Sequence, residues 1–434
     1  MSDTNYIGQA LPRYDGEGRI SGKTVYVDDV RVPGMCFIKV YRSPVHKGIL
    51  KNIDATETLK ISGVVGIVTA EDVPGINVGW FGECEVFAAK NLRFKGQVIC
   101  AVVGETEDIA QAGVEALKVD IEEQTPVFDM FDAMKPGAPI VSEGAKDNMA
   151  YWGDNPFFTM KLGDIEEGFK LADHIIESEY YEGVQEHAQM EPHAAVSYFD
   201  GAGRLCIHTV SQCLYFQLRQ LCAVFNLPMS KIRYIGGTVG GGFGAKNEII
   251  CDHIAGVATI KFGRAVKYRE TRHENLAYTT KRGAWKLHYK DGFTNDGRLV
   301  ARHIRHWHDG GAVFTFTPYG VEKGSLFMCG PYYIPNILIE GHAILTNKPI
   351  SSSVRGFTVL NGQACADVQM QKIANKLGMD PWEVRALNAF RDGDLGAGHY
   401  VVEGAGALEA MLNTAEMSGA SLPDSVKQMS SRGR

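Results

Sequence analysis

Residues Leu205–Asn247 read LCIHTVSQCLYFQLRQLCAVFNLPMSKIRYIGGTVGGGFGAKN, and the order of elements in this stretch decides the fold. Leu205–Val210 is a short apolar run suited to a strand. Leu214–Phe225 places Leu218, Leu221, Cys222 and Phe225 on one helical face, and Asn226 and Pro228 end it. A second strand is predicted at Lys231–Ile235. The glycine loop follows, and then a helix whose apolar positions Ile249, Ile250, Ile254, Val257 and Ile260 share a face. With the two strands as parallel neighbours, their C-terminal ends lie on one edge of the sheet, and Gln212 meets the glycine loop there.

Gly236–Gly244 holds six glycines in nine residues. A chain of this kind lets its backbone N–H groups approach a ligand, and with the next helix N-terminus it suits a phosphate or pyrophosphate. It is not a P-loop, because Ala245 replaces the Gly before Lys246 and Asn247 replaces the Ser or Thr that would bind magnesium. Gly240–Ala245 does fit the G-x-G-x-x-A pattern of nicotinamide dinucleotide sites, which makes a nicotinamide-dependent dehydrogenase a rival reading. No acidic residue ends a following strand to hold a ribose. A turn that serves packing alone is the plain alternative.

Outward from this centre, residues 22–125 alternate apolar runs (Met35–Tyr41, Val64–Thr69, Val98–Val103) with helical stretches such as Glu107–Leu117, the pattern of a mixed α/β domain. The expected division is a first domain over 1–130, a surface linker over 131–154, a second region over 155–420 and a frayed tail over 421–434. Asp380, Pro381 and Glu383 are spaced as an N-cap, first helical residue and capping-box partner.

The chain has 434 residues, 45% of them hydrophobic, which suffices for two or three domains. Its formal net charge of -7 disfavours nucleic acid and anionic membranes as partners. No apolar run approaches the ~20 residues of a membrane helix, and the start lacks the segments of a secretion signal, so a cytoplasmic protein is expected. Nine scattered cysteines form no CxxC pair for zinc or an iron–sulfur cluster. His306 and His308 alternate on one face of a predicted strand while His303 faces away, which argues against a metal site. Glu186 and His187, adjacent in sequence, point to opposite faces if they lie on a strand, which argues against an acid–base pair.

The loop GGGFGAK resembles the GGGFGGK loop of the molybdenum hydroxylases, the family of xanthine dehydrogenase, aldehyde oxidase and nicotinate dehydrogenase. QEHAQMEPHAAV (Gln185–Val196), VSQ (Val210–Gln212) and VRGF (Val354–Phe357) resemble the same family in the expected order. The opening SGKTVYVDDVRVPGMCFIKVYRSPVHKGIL is similar to its hammerhead domain, and LGDIEEGFKLADHIIESEY to the start of its molybdopterin-binding region. The resemblance implies an α+β / α/β chain: a hammerhead domain followed by the first half of a molybdopterin-binding domain.

It also implies roles. Gln212 would bond an oxo ligand of molybdenum, Gly241, Gly242, Phe243 and Gly244 would approach the cofactor through their backbone, and Arg355 would sit beside the metal. Phe357 matches a residue that packs on the substrate ring, Lys323 falls where purine hydroxylases place an arginine, and Asn247 stands where xanthine-oxidising relatives carry a glutamate. No protein side chain is expected to ligate the metal. Two departures mark the site: Asn247 argues against xanthine as substrate, and Thr358 replaces a glycine beside the metal.

The family's molybdenum subunit normally continues for a few hundred more residues and carries its general base there. The implied arrangement is therefore a split site, like that of nicotinate dehydrogenase of anaerobic bacteria. The cofactor, in its cytosine dinucleotide form, would be shared with a second molybdopterin subunit that supplies the glutamate base, and separate 2Fe–2S and FAD subunits would carry the electrons. The implied reaction hydroxylates an aldehyde or an N-heteroaromatic ring with water-derived oxygen. Reductive dehydroxylation and a non-catalytic scaffold subunit are the alternatives.

Overall fold

The computed structural model describes residues 6–77 and 84–429. Its largest sheet has seven strands, in the order Ile232–Gly236, Leu205–Thr209, Ala194–Phe199, Val266–Arg269, Cys36–Arg42, Val98–Gly104 and Val64–Val68. A five-stranded sheet runs Phe158–Leu162, Ile337–Ile344, Leu299–Asp309, Trp285–Phe293, His174–Glu182. A third, of three strands, joins Asn91–Leu92, Gly48–Asp54 and Lys118–Glu123. Among the described residues no helix is long and apolar enough to cross a membrane.

The central prediction about topology holds. Leu205–Thr209 and Ile232–Gly236 pair in parallel, with Thr209 opposite Gly236, so the residues after each strand emerge at one edge. The helix Leu214–Phe225 joins them and stops at Asn226, which takes a left-handed conformation (φ 51°). The helix after the loop, Asp252–Phe262, starts later than the apolar pattern suggests: Ile249 and Ile250 lie in the turn before it. Periodicity failed there because Asp252–Thr259 is buried on every side, so no face stands out.

The expected domain boundary near residue 130 divides the sequence but not the sheet. Cys36–Arg42 pairs in parallel with Val266–Arg269 and antiparallel with Val98–Gly104, so strands from both regions form one layer. Val98–Gly104 separates two cores. Ala101 and Val103 pack with Leu205, Leu221 and Ile254, whereas Cys100 and Val102 face a smaller cluster with Leu92 and Leu117.

The expected surface linker is instead a pinned strap. Asn148 is fully buried and its side chain bonds Val141 N, Ala133 O and Pro139 O, while Val127, Met130, Val141 and Ala150 pack with Ala343–Leu345. The expected frayed tail is packed as far as Met429, with Val426 buried against Leu408 and Ala415. Residues 430–434 lie outside the described residues. Asp380 caps its helix through Trp382 N at 2.8 Å, but the reciprocal half of the capping box is missing, because Glu383 accepts from Ser425 instead.

His306 and His308 share a face, as predicted, and stack on the buried Trp285 at 5.2 and 4.2 Å, while His303 pairs with Glu340 on the other side. Burial pushes His306 well down and His308 down to about 3, so both are neutral packing groups. Further along the same strand is a buried ion pair. Arg302 and Asp291 form a bidentate pair at 2.6 and 2.9 Å with 0% exposure on both side chains, and Gln369 and the Cys329 carbonyl satisfy further atoms.

Breaking this pair from one side leaves a buried charge without a counter-ion. Arg302→Met is expected to destabilise the chain by about 3–5 kcal/mol in denaturant unfolding, and Arg302→Met with Asp291→Leu to recover most of that loss. Equal losses in the single and double variants would contradict this.

Candidate functional site

The glycine loop is held from behind by three side chains. Gln212 Oε1 accepts from Gly244 N at 2.9 Å and Lys246 N at 3.2 Å, while Gln212 N donates to Lys246 O at 2.9 Å. Glu191 Oε2 accepts from Gly240 N and from Lys246 Nζ, each at 2.7 Å. Gln217 Nε2 donates to the carbonyls of Lys246, Asn247 and Glu248 at 3.0–3.2 Å, with its own Oε1 taken by Tyr234.

Two glycines are required by geometry. A Cβ on Gly242 would collide with Gln212 Oε1, and Gly244, at φ +103°, has the Ser353 carbonyl where a Cβ would go. Phe243 takes a left-handed conformation (φ 54°) that few bulky residues adopt. It is fixed by Arg355 N, which donates to Phe243 O at 2.8 Å. The Arg355 turn is fixed in its turn by Arg282, bonded to the Val354 and Arg355 carbonyls, and by His187 Nε2 on Ser353 O.

What remains unbonded decides what the site can hold. The N–H groups of Gly241, Gly242 and Phe243, Gln212 Nε2 and the exposed Arg355 guanidinium make no hydrogen bond among the described residues. All are donors. They are carried by the loop and by two residues bonded to it, and such a set of donors fits an oxygen-rich, electron-dense group with no competing ligand atoms. Gly244 departs from expectation: its N–H points inward to Gln212, leaving Phe243 as the outward donor of that pair. Among the described residues no group of three or more His, Cys, Asp or Glu could hold a metal ion. A metal at this edge would need a cofactor to ligate it.

Gly240, Gly241 and Phe243 line a groove of about 570 Å³ with Met190, Glu191, Arg19 and Tyr26. A separate cavity of about 110 Å³ lies behind the loop, against Glu248 and His253, and none of the predicted site residues lines it. Burial pushes the Glu248 carboxyl up, against the hydrogen bonds of Ser352 and Thr315.

The other predicted residues divide. Asn247 is adjacent to the loop, and its Oδ1 accepts from the Cys213 thiol at 3.3 Å, a donor that burial keeps protonated by pushing its pKa up. Phe357 stacks on Tyr319 at 5.8 Å and meets Phe316 edge-on at 6.4 Å, and Phe316 in turn contacts Phe216 at 6.2 Å. Lys323 lies one turn along the helix Thr317–Ser325 from Tyr319, with its Nζ over Phe327 at 5.3 Å. Thr358 is buried away from the loop. Its methyl sits where a Cβ on Gly320 would touch it at 3.0 Å, so the glycines of that helix make room for it.

Sequence reasoning passed over Glu191, Lys246, Gln217, Cys213, Phe216, Phe316 and Tyr319. Lys246 is fully buried, and burial pushes its pKa down against the pull of Glu191. Glu186 and His187 lie on no strand: Ala188 turns the chain at φ 51°, Glu186 pairs with Lys281 at 2.6 Å, and the two side chains stay 3.9 Å apart. Behind the loop, Arg42 reaches Glu270 at 2.9 Å, Glu270 meets His193, and His193 Nε2 contacts Ala245 O at 3.1 Å. Burial acts to raise the Glu270 carboxyl, but His193 and Arg42 hold it below the usual range.

Comparison with known proteins assigns the family. Residues 143–389 match the molybdopterin cofactor-binding domain, and residues 21–125 match the aldehyde oxidase and xanthine dehydrogenase a/b hammerhead domain. The chain is 32% identical over 388 residues to a probable xanthine dehydrogenase subunit of Bacillus subtilis, covering 88% of this chain and 51% of that protein. It is 28% identical over 417 residues to the nicotinate dehydrogenase large molybdopterin subunit of Eubacterium barkeri, covering 94% and 95%. Its fold matches the aldehyde oxidoreductase of Desulfovibrio gigas with a TM-score of 0.89 and 26% identity, over 96% of this chain and 47% of that one. The chain thus spans about half the length of the first and third of these relatives and nearly all of the second. It belongs to the aldehyde oxidase and xanthine dehydrogenase family of molybdenum oxidoreductases, and more than half of it is a molybdopterin cofactor-binding domain.

Proposed function

We propose that this chain provides one half of a split molybdenum–pterin site in a multi-subunit hydroxylase acting on an N-heteroaromatic ring or an aldehyde. The observation that carries this reading is the edge of unbonded donors formed by Gly241, Gly242, Phe243, Gln212 and Arg355. When bound, the cofactor would supply two-electron redox chemistry and delivery of water-derived oxygen to an electron-poor carbon.

This chain's part is binding and orientation. Gln212, its Oε1 engaged by the loop, presents Nε2 as a donor in one direction only. The backbone of Gly241–Phe243 adds donors that need no reorganisation during reaction. Arg355 supplies a fixed positive charge. Phe357, flanked by Tyr319 and Phe316, gives a flat substrate ring a surface to stack on and excludes water from its face. Asn247, with Oδ1 held by Cys213, offers Nδ2 to a substrate acceptor such as a ring nitrogen, and Lys323 lies at the flank. The general base, a glutamate, would come from a second molybdopterin subunit that shares the cofactor in its cytosine dinucleotide form. Electrons would leave through 2Fe–2S and FAD subunits.

The purified native complex, given a panel of N-heteroaromatics and aldehydes in 18O-labelled water with a dye acceptor, is expected to place labelled oxygen in the product. Products labelled from dioxygen, or no oxidation across the panel, would contradict the reading. On the substrate so found, Asn247→Ala is expected to change KM more than the acidic limb of the pH profile, because an amide does not titrate in the working range. A shift of that limb by more than about one unit, ~1.4 kcal/mol, would show Asn247 to be wired into proton transfer.

A further inference from the structure

Residues 6–26 run for 21 residues without one buried side chain. Six of them are large and apolar yet exposed, among them Ile7 at 91%, Tyr14 at 99% and Ile20 at 89%. Single exposed apolar residues are normal, but six concentrated in one short segment are a contact surface. The segment has a definite shape. Asp15 pairs with Arg13 and Arg19 around the short helix Gly16–Ile20, Gly18 O accepts from Lys23 N and Thr24 N, and Asp28 just beyond anchors the arm to Lys267 at 2.6 Å and Arg269 at 3.0 Å. Fixing a backbone costs about 1–2 kcal/mol per residue, and inside this chain the arm has only half-buried residues such as Asp15, Arg19 and Tyr26 to offset it.

The arm ends at the site. Arg19 and Tyr26 form one wall of the groove whose other wall is Gly240, Gly241 and Phe243, and Met190, on its rim, is 90% exposed. Exposed Ile20 and Val25 are thus next in sequence to the arm residues that line the groove. The D. gigas enzyme, whose fold this chain reproduces at a TM-score of 0.89, has more than half of its polypeptide outside the matched part, since the match covers 47% of it.

We propose that the arm 6–26 and the groove rim at Met190 and Phe243 are the surface on which the chain carrying the other half of the molybdopterin-binding region docks, a claim that rests on the split-site reading above. The arm would be clamped between the two chains, its Ile and Tyr side chains buried in the partner while Arg19 and Tyr26 close the groove from the side.

The test places a photo-reactive benzoylphenylalanine at position 14 or 20 in the co-expressed complex, irradiates it and identifies the adducts by mass spectrometry. The expected adduct joins the arm to the chain whose sequence matches the second half of the molybdopterin-binding region. Adducts to a second copy of this chain, to an iron–sulfur chain, or to nothing while the second molybdopterin chain is present overturn the docking assignment alone. Absence of any such chain from the purified complex overturns the split-site reading with it. A parallel variant, Ile7→Asp with Tyr14→Asp and Ile20→Asp, is expected to weaken retention of the second chain by about tenfold or more without moving the isolated chain's melting temperature. Unchanged retention overturns the proposal.

Discussion

One side-chain oxygen fixes the direction of the whole site. Gln212 Oε1 accepts from Gly244 N and Lys246 N, two points of the glycine loop on either side of Ala245, and Gly242 lies so close to it that no side chain fits. A loop of six glycines has great freedom when unfolded, and an equal number of unconstrained backbone groups would make a poor receptor. Gln212 and Glu191 take the donors of Gly240, Gly244 and Lys246, and Gln217 takes the carbonyls of Lys246, Asn247 and Glu248, while the N–H groups of Gly241, Gly242 and Phe243 stay unbonded among the described residues. The loop becomes a braced set of donors, to which Gln212 adds its unbonded Nε2.

That constraint is transmitted into the body of the protein. Lys246 closes on Glu191 with no exposure to water, and a buried ammonium of this kind persists only while its partner does. The His193–Glu270–Arg42 relay links the Ala245 carbonyl to the strand Cys36–Arg42 of the first sequence region. The shared sheet explains why: Cys36–Arg42 lies directly beside Val266–Arg269, so the hammerhead region braces the loop and cannot behave as an appended domain.

Much of this was legible in the sequence. The strand, helix, strand and loop of Leu205–Gly244 announce themselves because each apolar face is one-sided and each end carries a stop residue. Gln212, Phe243 and Arg355 were named from motifs, and hydrogen bonds tie them to one loop, Gln212 through Gly244 and Lys246 and Arg355 through Phe243. Pairing across some 230 residues, as between Cys36 and Val266, leaves no local trace. Burial likewise hid Lys246 and Glu191, since charged residues read as surface until a partner is placed beside them. The strap around Asn148 looked like a loop because its turns are rich in Gly and Pro; what holds it is one amide with three backbone partners.

The central claim is that the donor edge of this chain is half a site. Its direct measure is molybdenum and pterin nucleotide per chain, by elemental analysis and chromatography, in this chain purified alone and in the complex with its second molybdopterin chain. The account predicts close to none in the isolated chain and stoichiometric amounts in the complex. Stoichiometric cofactor in the isolated chain would contradict it.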